Sequence, residues 1–254
     1  MADPLFTGVG VALVTLFDSA GEVDAKASAL HAKRLVDDGM RAVLVAGSTG
    51  EAGSLSAKER IALLEAVRSE VPSDVPVLAG TGASSARQAA AQTSDACEHG
   101  ADGVLALSPP GSRRLGDYYA AVLDAAGDVP VLAYHFPRSS APGIDVETLA
   151  KLPVRGVKDS AADPERLLKE LAELEIPIYN GSAVMAFAAG ALGCRGSILA
   201  VANAEPELAI RAFAGDAEAQ RALIGPHLAA RADFPEGLKR LVADKYGTSP
   251  VCRL

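Results

Sequence analysis

Eight short apolar runs alternate with longer helical patterns from one end of the chain to the other. The runs lie at residues 9–17, 42–46, 76–80, 103–107, 129–134, 155–158, 177–180 and 196–201. Short apolar runs that alternate with helix-sized segments are typical of βα units, whose strands form a parallel sheet. The alternation therefore predicts an α/β fold.

The spacing of the predicted strand ends supports a closed barrel. The markers Thr15, Ser48, Gly80, Ser108, Tyr134, Lys158 and Gly181 are separated by 33, 32, 28, 26, 24 and 23 residues. A strand with its returning helix needs about 30 residues, so each step holds one βα unit. Eight units in 254 residues predict a (β/α)8 TIM barrel.

We expect this barrel to form one domain at residues 1–204. Residues 205–254 form the predicted C-terminal helical extension packed on it, with helical segments at 206–214, 217–231 and 235–246. Two helix starts are well marked. Ser56 and Glu59 have the spacing of a capping box, and Pro164 between Asp163 and Glu165 suits a first turn.

Composition excludes several classes of partner. A net charge of -8 with a pI near 5.1 argues against nucleic acid and anionic membranes, because neither attracts an acidic surface. Residues 1–7 carry no targeting signal, no apolar run is long enough for a membrane span, and Cys97, Cys194 and Cys252 lack metal-like spacing. We expect a cytoplasmic protein with reduced thiols and a small-molecule partner.

No motif for a metal or a cofactor occurs in the chain. The four histidines lack metal-ligand spacing, no GxGxxG follows the first apolar run, and no GxxxxGK[ST] is present. These motifs would have indicated a metal, a dinucleotide or a nucleotide phosphate. The sequence predicts no metal and no cofactor.

Lys158 is the first candidate for catalysis, because it lies at the end of an apolar strand-like run. Burial of an ammonium group is costly, and a lowered pKa that leaves a neutral amine avoids the cost. A neutral amine can attack a ketone and form a Schiff base. The alternative is a solvated ion pair with Asp159 or Glu165.

Two further features lie at predicted strand ends. Tyr134 ends the strand before that of Lys158, so its phenol could transfer protons in Schiff-base chemistry; alternatively, it packs its ring and leaves its hydroxyl in water. Ser48 and Thr49 lie in a Gly-Ser-Thr-Gly-Glu stretch whose N–H groups and hydroxyls suit a carboxylate. That stretch could equally be an ordinary turn that caps a helix.

An ordered set of motifs resembles the dihydrodipicolinate synthase / N-acetylneuraminate lyase family of class I, Schiff-base-forming pyruvate aldolases. The set runs from residue 8 to residue 203 and comprises Val11-Ala12-Leu13-Val14-Thr15, Gly47-Ser48-Thr49-Gly50-Glu51, Gly80-Thr81-Gly82, Tyr134-His135-Phe136-Pro137, Gly156-Val157-Lys158-Asp159 and Gly181-Ser182.

The resemblance implies a role for each matching residue. Lys158 would form the Schiff base with pyruvate or another 2-oxo acid, and Tyr134 would transfer protons. Ser48 and Thr49 would bind the substrate carboxylate, with Ser48 relaying protons, and Ile198 would present its main-chain carbonyl to the keto acid. The resemblance also implies a homotetramer or homodimer and catalysis without a metal.

Departures from the family pattern bear on the second substrate. The synthase branch has an arginine where this chain has Ser139, and Arg138 comes one residue early. The loop at residues 108–114 lacks the tyrosine that synthases contribute across a subunit interface; Tyr118 and Tyr119 come later, on a predicted helix. Arg138, or Arg113 with Arg114, could replace the carboxylate-binding arginine; alternatively, Arg138 points elsewhere, and Arg113 and Arg114 form a solvated basic turn.

These departures favour reversible aldol cleavage of a 2-keto-3-deoxy sugar acid or 4-hydroxy-2-oxo acid to pyruvate and an aldehyde. Two alternatives stay open. One is a dihydrodipicolinate synthase (4-hydroxy-tetrahydrodipicolinate synthase), which condenses pyruvate with aspartate semialdehyde. The other is a non-catalytic keto-acid-binding paralogue.

Overall fold

The computed structural model describes residues 3–112 and 114–254. Eight parallel strands close into a barrel in which each strand pairs with its neighbours along the chain and β1 pairs with β8. They are β1 (Gly8–Ala12), β2 (Val43–Val45), β3 (Val77–Gly80), β4 (Gly103–Leu107), β5 (Val131–His135), β6 (Gly156–Asp159), β7 (Ile178–Asn180) and β8 (Gly196–Leu199). The predicted (β/α)8 barrel is confirmed.

Helices connect the strands and continue beyond the last one. They are α1 (Ala25–Asp37), α2 (Ala57–Glu70), α3 (Ala86–Glu98), α4 (Leu115–Ala126), α5 (Val146–Leu149), α6 (Pro164–Glu173), α7 (Ala186–Ala191), α8 (Pro206–Phe213), α9 (Ala217–Ala222), α10 (Ile224–Ala232) and α11 (Glu236–Tyr246). Both predicted helix starts are confirmed. Ser56 and Glu59 form a reciprocal capping box, and Asp163 caps α6 with Pro164 in its first turn.

The first apolar run is longer than the strand it contains. β1 ends at Ala12; the Leu13 N–H still donates to the Leu44 carbonyl of β2 at 2.9 Å, but beyond Leu13 the chain bonds to side chains. The Val14 N–H donates to Asn203 Oδ1 at 3.1 Å, and the Leu16 N–H donates to Ser28 Oγ at 2.9 Å. A continuous apolar pattern therefore overestimated the strand, because the segment is buried beneath the C-terminal extension.

The prediction of a single helix at 217–231 was wrong, because this segment forms two helices. α9 ends at Ala222 and α10 begins at Ile224. Pro226 lacks an N–H and cannot bond to the carbonyl of Ala222, so the chain restarts its helix before the proline.

Side chains fill the inside of the barrel. The inner cluster comprises Phe6, Ala12, Ala42, Leu44, Leu78, Leu105, Leu132, Tyr134, Tyr179 and Ile198. Phe6 stacks on Tyr179 with ring centroids 4.7 Å apart. Since the lower barrel is packed, chemistry is expected at the carboxyl ends of the strands, as in other barrels of this kind.

The C-terminal extension packs on the segment that follows β1. Leu238 and Val242 of α11 and Ala230 of α10 form a buried cluster with Val14 and Leu16. The division into domains at residue 204 stays a prediction. None of the helices within the described residues is long and apolar enough to cross a membrane.

Candidate active site

A cavity of about 790 Å³ opens at the carboxyl ends of the strands. All six residues that the sequence singled out for the site line it: Ser48, Thr49, Tyr134, Arg138, Lys158 and Ile198. They come from the loops after β2 and β5 and from β5, β6 and β8. The fold thus brings together residues that are far apart in the chain.

Lys158 and Tyr134 are direct neighbours across adjacent strands. The two residues are paired in the register of β5 and β6, and Lys158 Nζ lies 4.5 Å from the centroid of the Tyr134 ring. Lys158 is only 4% exposed. Burial lowers the pKa of its amine to about 7, so a large fraction is neutral at physiological pH.

The Tyr134 phenol lies between two serine hydroxyls. Ser160 Oγ donates to the phenol oxygen at 3.3 Å. Burial raises the pKa of Tyr134 to about 12, while hydrogen bonds with Ser160 and Ser48 act in the opposite direction. The phenol is therefore protonated at rest, and both serines would stabilise a phenolate formed during a reaction.

Ser160 is a site residue that the sequence reasoning missed. It lines the cavity two residues after Lys158, and a hydroxyl just beyond a catalytic strand end was the available signal. Its position requires Gly181, because a Cβ on that glycine would lie 1.9 Å from Ser160 Oγ and 2.9 Å from Lys158 Cε. The glycine lets β7 approach the amine closely.

The GSTGE loop, residues 47–51, places Ser48 and Thr49 at the cavity. Ser48–Gly50 forms one 3-10 turn, so the N–H groups of its first two residues have no carbonyl partner within the turn. Two non-glycine residues with left-handed backbones flank the turn, Ala46 (φ 50) and Glu51 (φ 55). The surrounding structure must stabilise this strained loop.

Buried hydrogen bonds and an ion pair stabilise the GSTGE loop. Thr15 Oγ1 donates to the Gly50 carbonyl at 2.7 Å. Glu51 is fully buried and pairs with Lys239 of α11 at 2.5 Å, and its other oxygen accepts from the N–H groups of Arg253 and Leu254 at 2.8 and 3.1 Å. Glu51, Lys239 and Arg253 were not among the predicted site residues.

The arginines near the mouth have different positions. Arg138 lines the cavity together with Ser139. Arg114 is highly exposed and pairs with Asp117 through Nε at 2.6 Å, while Arg113 lies outside the described residues. His227 and Arg231 of α10 also line the cavity, and neither was among the predicted site residues.

Tyr118 and Tyr119 lie on α4, as expected, but turn toward the barrel. Their hydroxyls donate to the carbonyls of Leu107 and Ala106, both at 2.9 Å. These bonds fix both rings against β4, and neither residue lines the cavity. Within the chain, therefore, neither takes the place of the tyrosine absent from the loop at 108–114.

A buried charged network lies behind the lysine. Arg166 of α6 bonds Asp159 through Nε at 2.7 Å, and its NH2 lies 2.8 Å from Glu170 Oε1. His135 is buried as well, and its Nδ1 accepts from the Ile144 N–H at 2.9 Å. Desolvation lowers the pKa of His135 to about 4, so this imidazole is neutral at pH 7.

No metal cluster was found in the part of the chain that the structure describes. Within it, no three His, Cys, Asp or Glu side chains are grouped so that they could hold a metal ion.

Comparisons with known proteins identify the family of the chain. A model of the dihydrodipicolinate synthetase family matches residues 5–223. An uncharacterized DapA-like lyase from Halobacterium salinarum is 37% identical over 235 residues, which cover 87% of this chain and 77% of that protein. A 4-hydroxy-tetrahydrodipicolinate synthase from Acidithiobacillus ferrooxidans is 34% identical over 233 residues, covering 86% and 80%.

A solved structure shares the whole architecture. The crystal structure of dihydrodipicolinate synthase from Aquifex aeolicus superposes with a TM-score of 0.89 at 28% sequence identity. The match covers 98% of this chain and 91% of that one.

Proposed function

The chain belongs to the dihydrodipicolinate synthetase family, and we propose that it is a class I lyase that joins Lys158 to a 2-oxo acid as a Schiff base. One observation carries the proposal: a buried lysine whose pKa is lowered to about 7 lies beside a tyrosine in a large cavity. A neutral amine and a protonated phenol are the two groups that imine formation needs.

The GSTGE loop supplies the binding site for the substrate carboxylate. The N–H groups of Ser48 and Thr49 and their hydroxyls can donate to its oxygens. Ile198, buried on β8 at the cavity, offers its carbonyl to the opposite side of the keto acid. In this pose the ketone carbon faces Lys158.

Imine formation uses the amine and the phenol in turn. Neutral Lys158 attacks the C2 ketone, and a proton shift from nitrogen to oxygen gives a carbinolamine. Tyr134 then protonates the departing hydroxyl, which leaves as water. The products are a protonated imine and a Tyr134 phenolate, which Ser48 and Ser160 stabilise by hydrogen bonding.

Carbon–carbon cleavage restores the phenol. The phenolate takes the proton of the C4 hydroxyl, the C3–C4 bond breaks, and its electron pair flows into the protonated imine. An aldehyde leaves and an enamine of pyruvate stays on Lys158. Protonation of the enamine at C3 and hydrolysis of the imine release pyruvate and the free amine, and the reverse sequence adds pyruvate to an aldehyde.

Reduction with borohydride tests the covalent step. With pyruvate present, the intact mass should rise by one reduced adduct, and peptide mapping should locate it on Lys158. Lys158→Ala should give no adduct, whereas Lys169→Ala, which changes an exposed lysine on α6, should give the same adduct as the wild type. An unmodified wild-type protein would disprove the proposal.

The preferred reaction is cleavage of a 2-keto-3-deoxy sugar acid or a 4-hydroxy-2-oxo acid. Ser139 occupies the position where the synthase branch has an arginine, which supports this preference over condensation with aspartate semialdehyde. Turnover assays with both substrate classes separate the two reactions. A protein that binds pyruvate without turning over any aldehyde would instead fit the non-catalytic paralogue.

We also propose that the protein is a cytoplasmic homotetramer or homodimer, as the family resemblance implies. Multi-angle light scattering of the purified protein measures the assembly directly. A monomer at micromolar concentration would contradict it.

A further inference from the structure

We infer that the outer wall of the cavity is a binding site for a phosphate group carried by the aldehyde half of the substrate. Three cationic or ionisable side chains form this outer wall: Arg138 from the loop after β5, and His227 and Arg231 from α10. The inference rests on the proposed function, because it concerns the part of the substrate beyond the Schiff base.

The charge of the cavity is opposite to that of the molecule. The chain has 32 acidic and 24 basic residues, yet no Asp or Glu of residues 3–112 and 114–254 lines the cavity. Arg60, Arg138, Lys158 and Arg231 all do. A cleft lined by one sign of charge concentrates ligands of the opposite sign, so the substrate should be strongly anionic.

Two of these arginines have no acidic partner among residues 3–112 and 114–254 that would neutralise them. Arg60 donates to the carbonyls of Gly80 and Ala52 and is thereby used within the fold. The acids that follow Arg231 most closely along the chain, Asp233 and Glu236, pair with Arg240 instead. No ion pair within the described part of the chain includes Arg138 or Arg231.

The three side chains come from two elements that meet at the cavity mouth. His227 and Arg231 lie four residues apart on α10, and therefore on the same face of the helix. Burial lowers the pKa of His227, and the charge of Arg138 lowers it further, which indicates that Arg138 is close to this face. Guanidinium groups match the oxygens of a phosphate dianion.

The size of the cavity leaves room for such a group. A volume of about 790 Å³ lies within the range of pockets that hold drug-sized ligands, which is roughly 300–1,000 Å³. Pyruvate, with three carbons, fills only the part next to Lys158 and the GSTGE loop. The carboxylate of the 2-oxo acid is bound there, so the arginines at the mouth are available for a second anionic group.

Paired aldehydes test the inference. Two-, three- and four-carbon hydroxyaldehydes, each with and without a terminal phosphate, are compared as acceptors of pyruvate in the wild-type protein. We expect the phosphorylated member of at least one pair to have a kcat/KM about ten- to a hundredfold higher, as charge-assisted hydrogen bonds allow. Equal values within every pair, or a stronger preference for aspartate semialdehyde, would overturn the phosphate assignment.

Substitution of the arginines in the outer wall tests where the phosphate binds. Arg231→Gln and Arg138→Gln should each remove most of the preference for the phosphorylated aldehyde, chiefly through a rise in its KM. Arg221→Gln is the matched control, because Arg221 lies on α9 and outside the cavity. A preference that persists in both cavity variants would exclude these residues as the phosphate site.

A binding measurement separates this inference from the proposed function. Glycerol 3-phosphate should bind the Lys158→Ala protein, and Arg231→Gln in that background should weaken its binding by about tenfold or more. Absence of a borohydride adduct with pyruvate would disprove the Schiff-base proposal, whereas absence of glycerol 3-phosphate binding would disprove the phosphate site.

Discussion

Glu51 and Lys239 form an ion pair from which solvent is excluded. Glu51 Oε1 and Lys239 Nζ are 2.5 Å apart, and both side chains are 0% exposed. Lys239 also donates to the Val251 carbonyl at 2.7 Å and lies 4.1 Å from the centroid of the Phe17 ring. The pair connects α11 and the last residues of the chain to the loop that carries Ser48 and Thr49.

Replacement of Lys239 by methionine should therefore affect both stability and substrate binding. It leaves the Glu51 carboxylate buried without its countercharge, which costs about 3–5 kcal/mol of unfolding free energy. Urea denaturation measures this loss. The KM for pyruvate should also rise, because Glu51 ends the strained turn that positions Ser48 and Thr49.

A double variant serves as the control for that prediction. Glu51→Gln combined with Lys239→Met removes both charges, so it should recover roughly half or more of the lost stability. A double variant as unstable as the sum of the single variants would contradict a direct interaction between the two groups.

Replacement of Tyr134 by phenylalanine should separate binding of pyruvate from turnover. Without the phenol, turnover should fall about 10²- to 10⁴-fold, as expected for loss of a general acid–base group. Binding of pyruvate should persist, since the GSTGE loop is unchanged. Steady-state kinetics measures the fall in turnover, and slow borohydride trapping with pyruvate measures the binding that persists.

Tyr179→Phe is the matched control for Tyr134→Phe. Tyr179 pairs with Lys158 in the register of β6 and β7, but its hydroxyl accepts from the Leu5 N–H at 2.9 Å and does not line the cavity. Removal of the Tyr179 hydroxyl should leave turnover within about twofold of the wild type. Equal losses in both variants would mean that Tyr134 acts through packing.

The sequence was sufficient to predict the barrel and the proximity of Tyr134 and Lys158, for a local reason. Each strand is a short apolar run, and the polar residue at its end marks the catalytic face, as with Tyr134 and Lys158. Parallel strands bring such residues together at one end of the barrel whatever their separation along the chain.

Contacts between distant segments could not be predicted in this way. Glu51 and Arg253 are 202 residues apart, and nothing in the local pattern of either segment indicates their hydrogen bond. Arg231 lies on α10, and the neighbouring Ala230 packs with residues of α11 against the segment after β1. Long-range packing therefore determines the outer half of the site.

The amine of Lys158 should be a source of instability in the folded protein. Its pKa falls from 10.5 to about 7 on folding, so between these values the unfolded chain binds more protons than the folded one. Stability should therefore rise with pH across this window. Lys158→Met should stabilise the protein by about 1–4 kcal/mol near pH 7, and the gain should shrink toward pH 10.

Urea denaturation at pH 6.5 and pH 9.5 checks this prediction, with Lys169→Met as the control. Lys169 is 42% exposed, so its replacement should change stability by less than about 0.5 kcal/mol. A destabilised Lys158→Met protein would contradict the lowered pKa.

The same titration should govern the reaction with pyruvate. Only the neutral amine attacks the ketone, so the rate of imine formation at limiting pyruvate should rise as the pH increases through about 7 and then level off. Cyanoborohydride trapping between pH 5.5 and 9 measures this profile. A rate that still rises steeply between pH 8 and pH 9 would indicate a lysine with an ordinary pKa.

Glu170→Gln should reveal an acid that stays protonated at neutral pH. Glu170 is fully buried, and burial together with the nearby Asp159 raises its pKa to about 9. Between its unfolded value of 4.5 and about 9, the folded state holds a proton that the unfolded chain releases. The stability that this group contributes is therefore present below pH 4.5 and is lost as the pH rises.

Glutamine resembles the protonated acid in shape and does not titrate. Glu170→Gln should thus change stability by about 1 kcal/mol or less at pH 5.5, and it should become progressively more stable than the wild type toward pH 9. Urea denaturation at both pH values measures the difference, with Glu173→Gln, an exposed site on the same helix, as the control. A difference that does not depend on pH would mean that Glu170 is ionised in the folded protein, with Arg166 as its countercharge.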